Sequence, residues 1–394
     1  MAERPEQGGW RRQLADELDA LADRARLRTL NPVERNGRFV TRGGEGRELI
    51  DLGSNDYLAL SDHSHVCGAV CEAAERYGVG SGASRLLAGD TPLHHEVESR
   101  FAGFKHAEAA LLCPTGYMAN LALIGSLAGS DDVILMDKLN HASLIDAARL
   151  SGAEVRIYPH GNLEKLERLL VRSEAARRRL IVTDSVFSMD GDAADLPALC
   201  DLRDRYDAVL VIDEAHATGV LGERGSGLAE AQGVAGCIDA TVSTASKALG
   251  SLGGVITGDR LLIETVVNRG RAFIYTTGIP PTQSAAIGAA LDVVRDEPQR
   301  RARLAELNRM MRSRLREHGW GVGDDVSPII PIVVGDERRA LGLSEKLERA
   351  GYSVAAIRPP TVATGACRLR ISLRCDLEDR DVSGFVDALG PGEG

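Results

Sequence analysis

DAVLVIDEAHATG, residues 207–219, reads as an apolar strand that delivers Asp213 at its carboxyl end, with His216 in the loop beyond. STASKALGSLGG, residues 243–254, then sets Lys247 among small residues and glycines, where its amine can approach a flat ligand without crowding. Around these two stretches the chain alternates short apolar runs with helical segments: DDVILMD (131–137), AEVRIYPH (153–160), RRLIVTDSVF (178–187), GCIDATVSTASK (236–247), LGGVITGD (252–259) and RAFIYTT (271–277). Strands apolar on nearly every residue and separated by helices predict an α/β fold with a mainly parallel sheet covered on both faces.

Outward from this centre, ELIDLGSNDYLAL (48–60) predicts a strand running into a loop. Residues 1 to about 30 predict one amphipathic helix, with Trp10, Leu14, Leu18 and Leu21 at helical spacing and Pro32 beyond its end. After Pro280 and Pro281 a long helical stretch, roughly 282–318, leads to strands near IIPIVV, YSVAAI and CRLRISL, a smaller α+β unit. The division expected is a helical arm and segment at 1–49, a large domain at 50–285 and a small domain at 286–394. The terminal PGEG is expected to be disordered.

The 394 residues carry a formal net charge of -10, with arginines interleaved among acids, which argues against a nucleic-acid partner. The polar N-terminus has no apolar h-region and no later run is long enough to span a bilayer, so no membrane association and a cytoplasmic location are expected. Seven scattered cysteines without a CxxC pair predict reduced thiols, and the adjacent His94 and His95 do not make a metal site.

An aspartate at a strand end and a lysine in a Gly/Ser loop suit pyridoxal chemistry: the carboxylate keeps a pyridine nitrogen protonated and the amine forms an imine. Taken singly, such an aspartate also serves as a helix cap and such a lysine as a solvated side chain. CPTGYMAN (113–120) places Thr115, Gly116 and Tyr117 at a helix start, whose free N–H groups favour a phosphate, although a simple turn reads the same way. Thr244, three residues before Lys247, adds a hydroxyl.

The ordered set SNDYLAL, GSGASRLLAGD, TGYMAN, NHASL, VFSMDGD, VIDEAHATG, STASKALG, IYTTGIPP and AIRPPTV…CRLRISL, spanning about residues 28–390, resembles the α-oxoamine synthase family of fold-type-I pyridoxal 5'-phosphate (PLP) enzymes. The resemblance implies an aspartate-aminotransferase-like fold, a homodimer with shared active sites, and condensation of a small amino acid with an acyl thioester. It implies Lys247 as the Schiff-base lysine and general acid/base, Asp213 on the pyridine nitrogen, His216 on the phenolic oxygen and His141 stacked on the ring. Ser188 would line the phenolic side; Gly116, Tyr117 and Thr244 would hold the phosphate; Thr277 would reach the phosphate of the other subunit. Arg370 would clamp the amino-acid carboxylate, with Arg368 as the alternative, and Asp184 stands where the family usually has glutamate.

The block AIRPPTVATGACRLRISL is similar to that of the family member joining L-alanine to a pimeloyl thioester, carried by CoA or an acyl carrier protein, in biotin biosynthesis. Arg28 matches an arginine offered there to the far carboxylate, although Arg24, Arg26 and Arg28 share one charged stretch. The rival expectations are a relative using glycine or serine, such as a 2-amino-3-ketobutyrate ligase, an ordinary aminotransferase, and a catalytically silent PLP-binding module.

Overall fold

The computed structural model describes residues 9–42 and 46–392, and in it the apolar runs of the central chain form one seven-stranded sheet. Its spatial order is Ala109–Cys113, Gly254–Gly258, Ala240–Thr244, Val209–Asp213, Arg179–Asp184, Val133–Asp137, Glu154–Tyr158. Only Gly254–Gly258 runs against its neighbours; all other pairings are parallel. Helices cover both faces, one core gathering Leu123, Leu144 and Val266, the other Leu166, Leu199 and Leu228. Hence Val133–Asp137 and Ala240–Thr244 are buried at every residue, the signature that separates them from half-exposed strands. The parallel run brings the strand ends Asp137, Asp184, Asp213 and Thr244 to one edge, with Asp184 and Asp213 in register as neighbours.

Two helices begin at that edge through side-chain caps. Thr115 Oγ1 accepts the Met118 N–H at 3.1 Å to open Gly116–Leu127, and His141 Nδ1 accepts the Ser143 N–H at 3.2 Å to open Ala142–Ser151.

Beyond residue 328 an antiparallel sheet orders Ile329–Gly335, Cys367–Ser372 and Ala355–Ile357. A third sheet takes Val33–Asn36, Phe39–Arg42 and Glu48–Asp51 from the N-terminal region and Tyr352–Ser353 from the C-terminal one, so the two ends of the chain share one sheet. A single core runs from Leu52 and Tyr57 through Ile287 and Leu304 to Ile371 and Phe385. The boundary expected at 285 falls inside the continuous helix Pro281–Asp296.

Several elements differ from the sequence expectations. RAFIYTT is no strand: Arg271–Ile274 is a helical turn closed by Phe273 and Ile274 N–H bonds to Gly270 O, and only Phe273 is buried. The helical stretch 282–318 is two helices, Pro281–Asp296 and Gln299–Glu317, interrupted at Pro298, which cannot supply the N–H that continuity needs. The stretch after Pro32, for which the sequence suggested no strand, pairs as a hairpin, Val33–Asn36 with Phe39–Arg42. The N-terminal helix spans Gly9–Asp23 and ends well before Pro32, and all four of its periodic apolar residues are exposed; the part expected over residues 1–8 lies outside the described residues. Pro391 and Gly392 of the terminal PGEG are ordered, with Gly392 N–H on His318 O at 2.7 Å; Glu393 and Gly394 lie outside the described residues.

Candidate active site

Asp213 ends its strand 5% exposed, with its carboxylate held on both oxygens. Oδ1 accepts the Ala215 N–H at 2.8 Å, and Oδ2 accepts Asn120 Nδ2 at 2.7 Å. Asn120 Nδ2 also donates to Ser143 Oγ at 2.9 Å, and Ser143 Oγ lies 2.7 Å from His141 Nδ1. A continuous hydrogen-bonded chain therefore links Asp213 to His141. Because His141 Nδ1 accepts from Ser143, the imidazole is neutral with its proton on Nε2; burial lowers its pKa, opposed by Asp213 and reinforced by Lys247.

Lys247 Nζ lies 3.1 Å from His216 Nε2, and His216 Nδ1 lies 2.7 Å from Tyr57 Oη. Tyr57 Oη gives its proton to Asn55 Oδ1 at 3.2 Å, so it accepts from Nδ1 and leaves the Nε2 lone pair facing the lysine. Burial, with the nearby Lys247 and Arg370 cations, holds His216 well below its ordinary pKa and hence neutral. Burial also draws Lys247 down to about 8; Asp213 and Asp184 oppose this, and Arg370 adds to it. An amine near 8 exchanges protons readily at neutral pH, which an ordinary lysine does not.

Asp184 is 3% exposed and takes the His141 backbone N–H on Oδ2 at 2.7 Å. Burial and the neighbouring Asp213 carboxylate raise its pKa well above the usual range. Behind the site Glu214 is held by the buried Lys105 Nζ at 2.5 Å, which also donates to Thr218 Oγ1 at 2.8 Å; this ion pair fixes the loop between Asp213 and His216.

Arg370 separates cleanly from Arg368. Both side chains reach the turn 188–190, as residues two apart on one strand share a face. Arg368 is engaged by the Asp190 carboxylate and by Met189 O. Arg370 donates to Ser188 O at 2.5 Å, Asn55 Oδ1 at 3.1 Å and Ser372 Oγ at 2.6 Å and also reaches the Tyr57 hydroxyl, with no carboxylate partner among the described residues. A buried guanidinium without a carboxylate partner fits an anionic ligand.

Gly116 and Thr244 form a close cradle: a Cβ at Gly116 would stand 3.3 Å from Thr244 Cβ. With the Met118 and Ala119 N–H groups taken by Thr115, those of Gly116 and Tyr117 remain free at the helix start. The Tyr117 hydroxyl, exposed, bonds the Asp146 carboxylate. A carboxylate for a ring nitrogen, neutral imidazoles, a depressed lysine and a glycine cradle with free N–H groups match the donor set that PLP needs.

Two candidates stand apart within this chain. Arg28 donates to Pro359 O at 3.2 Å and has no described contact with the Lys247 group. Thr277 is exposed, beside Gly278, whose N–H bonds Ala83 O at 2.9 Å. Asn55, Tyr57, Asn120 and Ser143 were not singled out from sequence. Asn120 carried a signal, standing four residues and one helical turn after Gly116, on the same face; Asn55 and Tyr57 stand in the block SNDYLAL, but no local spacing places them at the site, to which they are brought from far along the chain.

No group of three or more His, Cys, Asp or Glu among the described residues is placed to hold a metal ion, and no described helix is long and apolar enough to cross a membrane. A cavity of about 560 Å³ between Arg42, Arg47, Leu49 and Arg349 contains no member of the Lys247 group, so the donor set rather than cavity volume marks the site.

Comparison with known proteins agrees. The 8-amino-7-oxononanoate synthase of Anaeromyxobacter dehalogenans is 48% identical, covering 95% of this chain and 93% of that protein. That of Geobacter sulfurreducens is 44% identical over 96% and 97%. A serine palmitoyltransferase from S. paucimobilis, solved with PLP and myriocin bound, superimposes with a TM-score of 0.90 at 29% identity, covering 96% of each chain. The 8-amino-7-oxononanoate synthase of Francisella tularensis superimposes with a TM-score of 0.76 at 29% identity, over 86% of this chain and 96% of that one. The family model for aminotransferase class I and II matches residues 47–389, and the chain belongs to that family, on its α-oxoamine synthase branch.

Proposed function

We propose that this chain is a PLP-dependent acyltransferase that condenses L-alanine with a pimeloyl thioester, releasing carbon dioxide and the thiol to give 8-amino-7-oxononanoate for biotin biosynthesis. The observation that carries it is that Asp213, bonded through Asn120 and Ser143 to His141, and Lys247, bonded to His216, share one site, near enough that the Asp213 carboxylate opposes the lowering of the Lys247 pKa, in a chain 48% identical to a synthase of that name.

When bound on Lys247, PLP supplies an electron-withdrawing ring that stabilises negative charge at the amino acid's α-carbon. The chain's residues do the rest. Asp213, its carboxylate oriented by the Asn120 amide and the Ala215 N–H, is the partner that keeps a ring nitrogen protonated. His141 offers a neutral imidazole at the site, held by Ser143. Arg370, a buried cation without a carboxylate partner among the described residues, binds the alanine carboxylate. Lys247, with its pKa near 8, removes and returns the α-proton. Gly116, Tyr117 and Thr244 hold the phosphate, and Ser188 lines the phenolic side.

The active unit is read as a cytoplasmic homodimer. Thr277 then serves the partner's phosphate, and the exposed Val79, Leu87 and Tyr275 support a covered surface. Arg28 is assigned to the far carboxylate of the acyl chain. Arm, large domain and small domain are retained as functional divisions at 1–49, 50–285 and 286–394.

The reading is tested by mass spectrometry of products from L-alanine with pimeloyl-CoA, against glycine with acetyl-CoA and serine with palmitoyl-CoA. Formation of 8-amino-7-oxononanoate from the first pair is expected, and product only from another pair would contradict it. Replacing Arg370 with lysine is expected to raise KM for L-alanine by about tenfold with a smaller change in kcat, since an ammonium cannot make the forked contact; an unchanged KM would remove Arg370 from this role. The rate at which apoprotein takes up PLP is expected to rise by about tenfold per pH unit toward pH 8 and then level, following the neutral amine of Lys247. Stopped-flow absorbance measures this, and a flat profile would contradict the lowered lysine.

A further inference from the structure

His160 lies outside the Lys247 group, yet it joins the two loops that carry parts of it. Its Nδ1 is 3.0 Å from Asp137 Oδ1 and its Nε2 is 2.8 Å from Asp192 Oδ2, so both ring nitrogens face carboxylates. An imidazole donating from both nitrogens is an imidazolium; its hydrogen bonds to Asp137 and Asp192 push its pKa up to about 10, keeping it charged at neutral pH. Its ring stands edge to face on Phe187, with centroids 4.4 Å apart and planes at 82°.

Each carboxylate organises a functional loop. Asp137 ends its strand 3% exposed; Oδ1 also accepts the Leu139 N–H at 2.8 Å, starting the short loop to His141, and Oδ2 accepts the Gly161 N–H at 2.9 Å. Asp192 closes the turn 187–192, in which Gly191 N–H bonds Phe187 O at 2.8 Å and Phe187 N–H bonds Asp192 O at 3.0 Å. That turn supplies the Ser188 carbonyl to Arg370. It is pressed against the C-terminal sheet: Gly191 has φ +75°, and a Cβ there would come 2.3 Å from Ile329 O.

We propose that His160 is a positioning residue, which fixes the spacing between the His141 loop and the Ser188 turn and, through the Ser188 carbonyl, the aim of Arg370 at the substrate carboxylate. Without the cation, Asp137 and Asp192 face each other across the width of one ring and repel, so the turn moves off the strand end. This rests on the function proposed above.

The test compares His160→Asn, which can donate from one side only, with His160→Arg, which can bridge both carboxylates. His160→Asn is expected to raise KM for L-alanine by about ten- to a hundredfold, with kcat changed less, since small misplacements of a binding group carry penalties of that order. His160→Arg is expected to recover most of the loss. In the apoprotein, hydrogen exchange at the Phe187 and Gly191 amides is expected to quicken in His160→Asn and be restored in His160→Arg. Asp192→Asn, which leaves the Asp137 contact in place, is expected to share the KM effect and serves should His160→Asn not fold. Unchanged KM and unchanged exchange in the folded variants would overturn the proposal, as would a lowered melting temperature with KM unmoved, which marks a merely structural contact. A wild-type protein inactive with L-alanine and pimeloyl-CoA would refute the function instead, while the exchange comparison would still decide the brace.

Discussion

Replacing Lys247 with alanine is expected to lower kcat by about four orders of magnitude or more, because the proposed function gives one side chain the work of both covalent anchor and proton carrier. The chain has five lysines, Lys105, Lys138, Lys165, Lys247 and Lys346, and only Lys247 stands at the site. Lys105 is the nearest alternative by burial, but its ammonium is saturated by Glu214, Thr218 and Ser226. Folding should survive, since Lys247 makes no described ion pair and its one described side-chain hydrogen bond is to neutral His216. Steady-state kinetics with L-alanine and pimeloyl-CoA, beside a melting curve, measures both effects. Activity within tenfold of wild type would show that another base moves the proton.

Replacing Asp213 with asparagine is expected to lower kcat by about a thousandfold, which is about 4 kcal/mol of barrier. The substitution is isosteric, and a carbonyl oxygen can still accept from Asn120 or from the Ala215 N–H. Loss of one hydrogen bond costs only about 1 kcal/mol, so an effect several times larger reports the lost charge rather than lost packing. The neighbouring Asp184 does not replace it, because burial and the engaged His141 N–H hold Asp184 in its strand. A fall of less than tenfold, in protein that still binds PLP, would mean that the ring nitrogen needs no anionic partner here.

How much of this could be read from the chain depended on sequence separation. Asp213 and Lys247 were legible because each stands beside an apolar run that could only be a buried strand, and parallel strands bring their carboxyl ends together. Gly116 and Thr244 were legible one at a time, but their closeness, such that a Cβ on Gly116 would stand 3.3 Å from Thr244 Cβ, required the antiparallel strand Gly254–Gly258 between the strands that lead to them. Tyr57 and Asn55 were not: contact between Tyr57 and His216 joins residues 159 apart, and no local pattern encodes it. The preference for Arg370 over Arg368 rests on Asp190, which pairs with Arg368 from outside their own strand. RAFIYTT failed for a different reason, since aromatic and β-branched residues favour strands, whereas burial of Phe273 against the helix Gly116–Leu127 selects a helical turn. The exposed apolar stripe of Gly9–Asp23 shows the converse, a clear helical period without any burial to accompany it.

The central claim is that one heterocycle lies between the Asp213 carboxylate and the Lys247 amine. Borohydride reduction of the PLP-loaded protein, followed by peptide mass mapping, tests it most directly. A pyridoxyl-phosphate mass on the peptide containing Lys247, absent from unreduced digests, is the expected result; the same mass on the peptide of Lys105, Lys138, Lys165 or Lys346, or on none, would contradict the account.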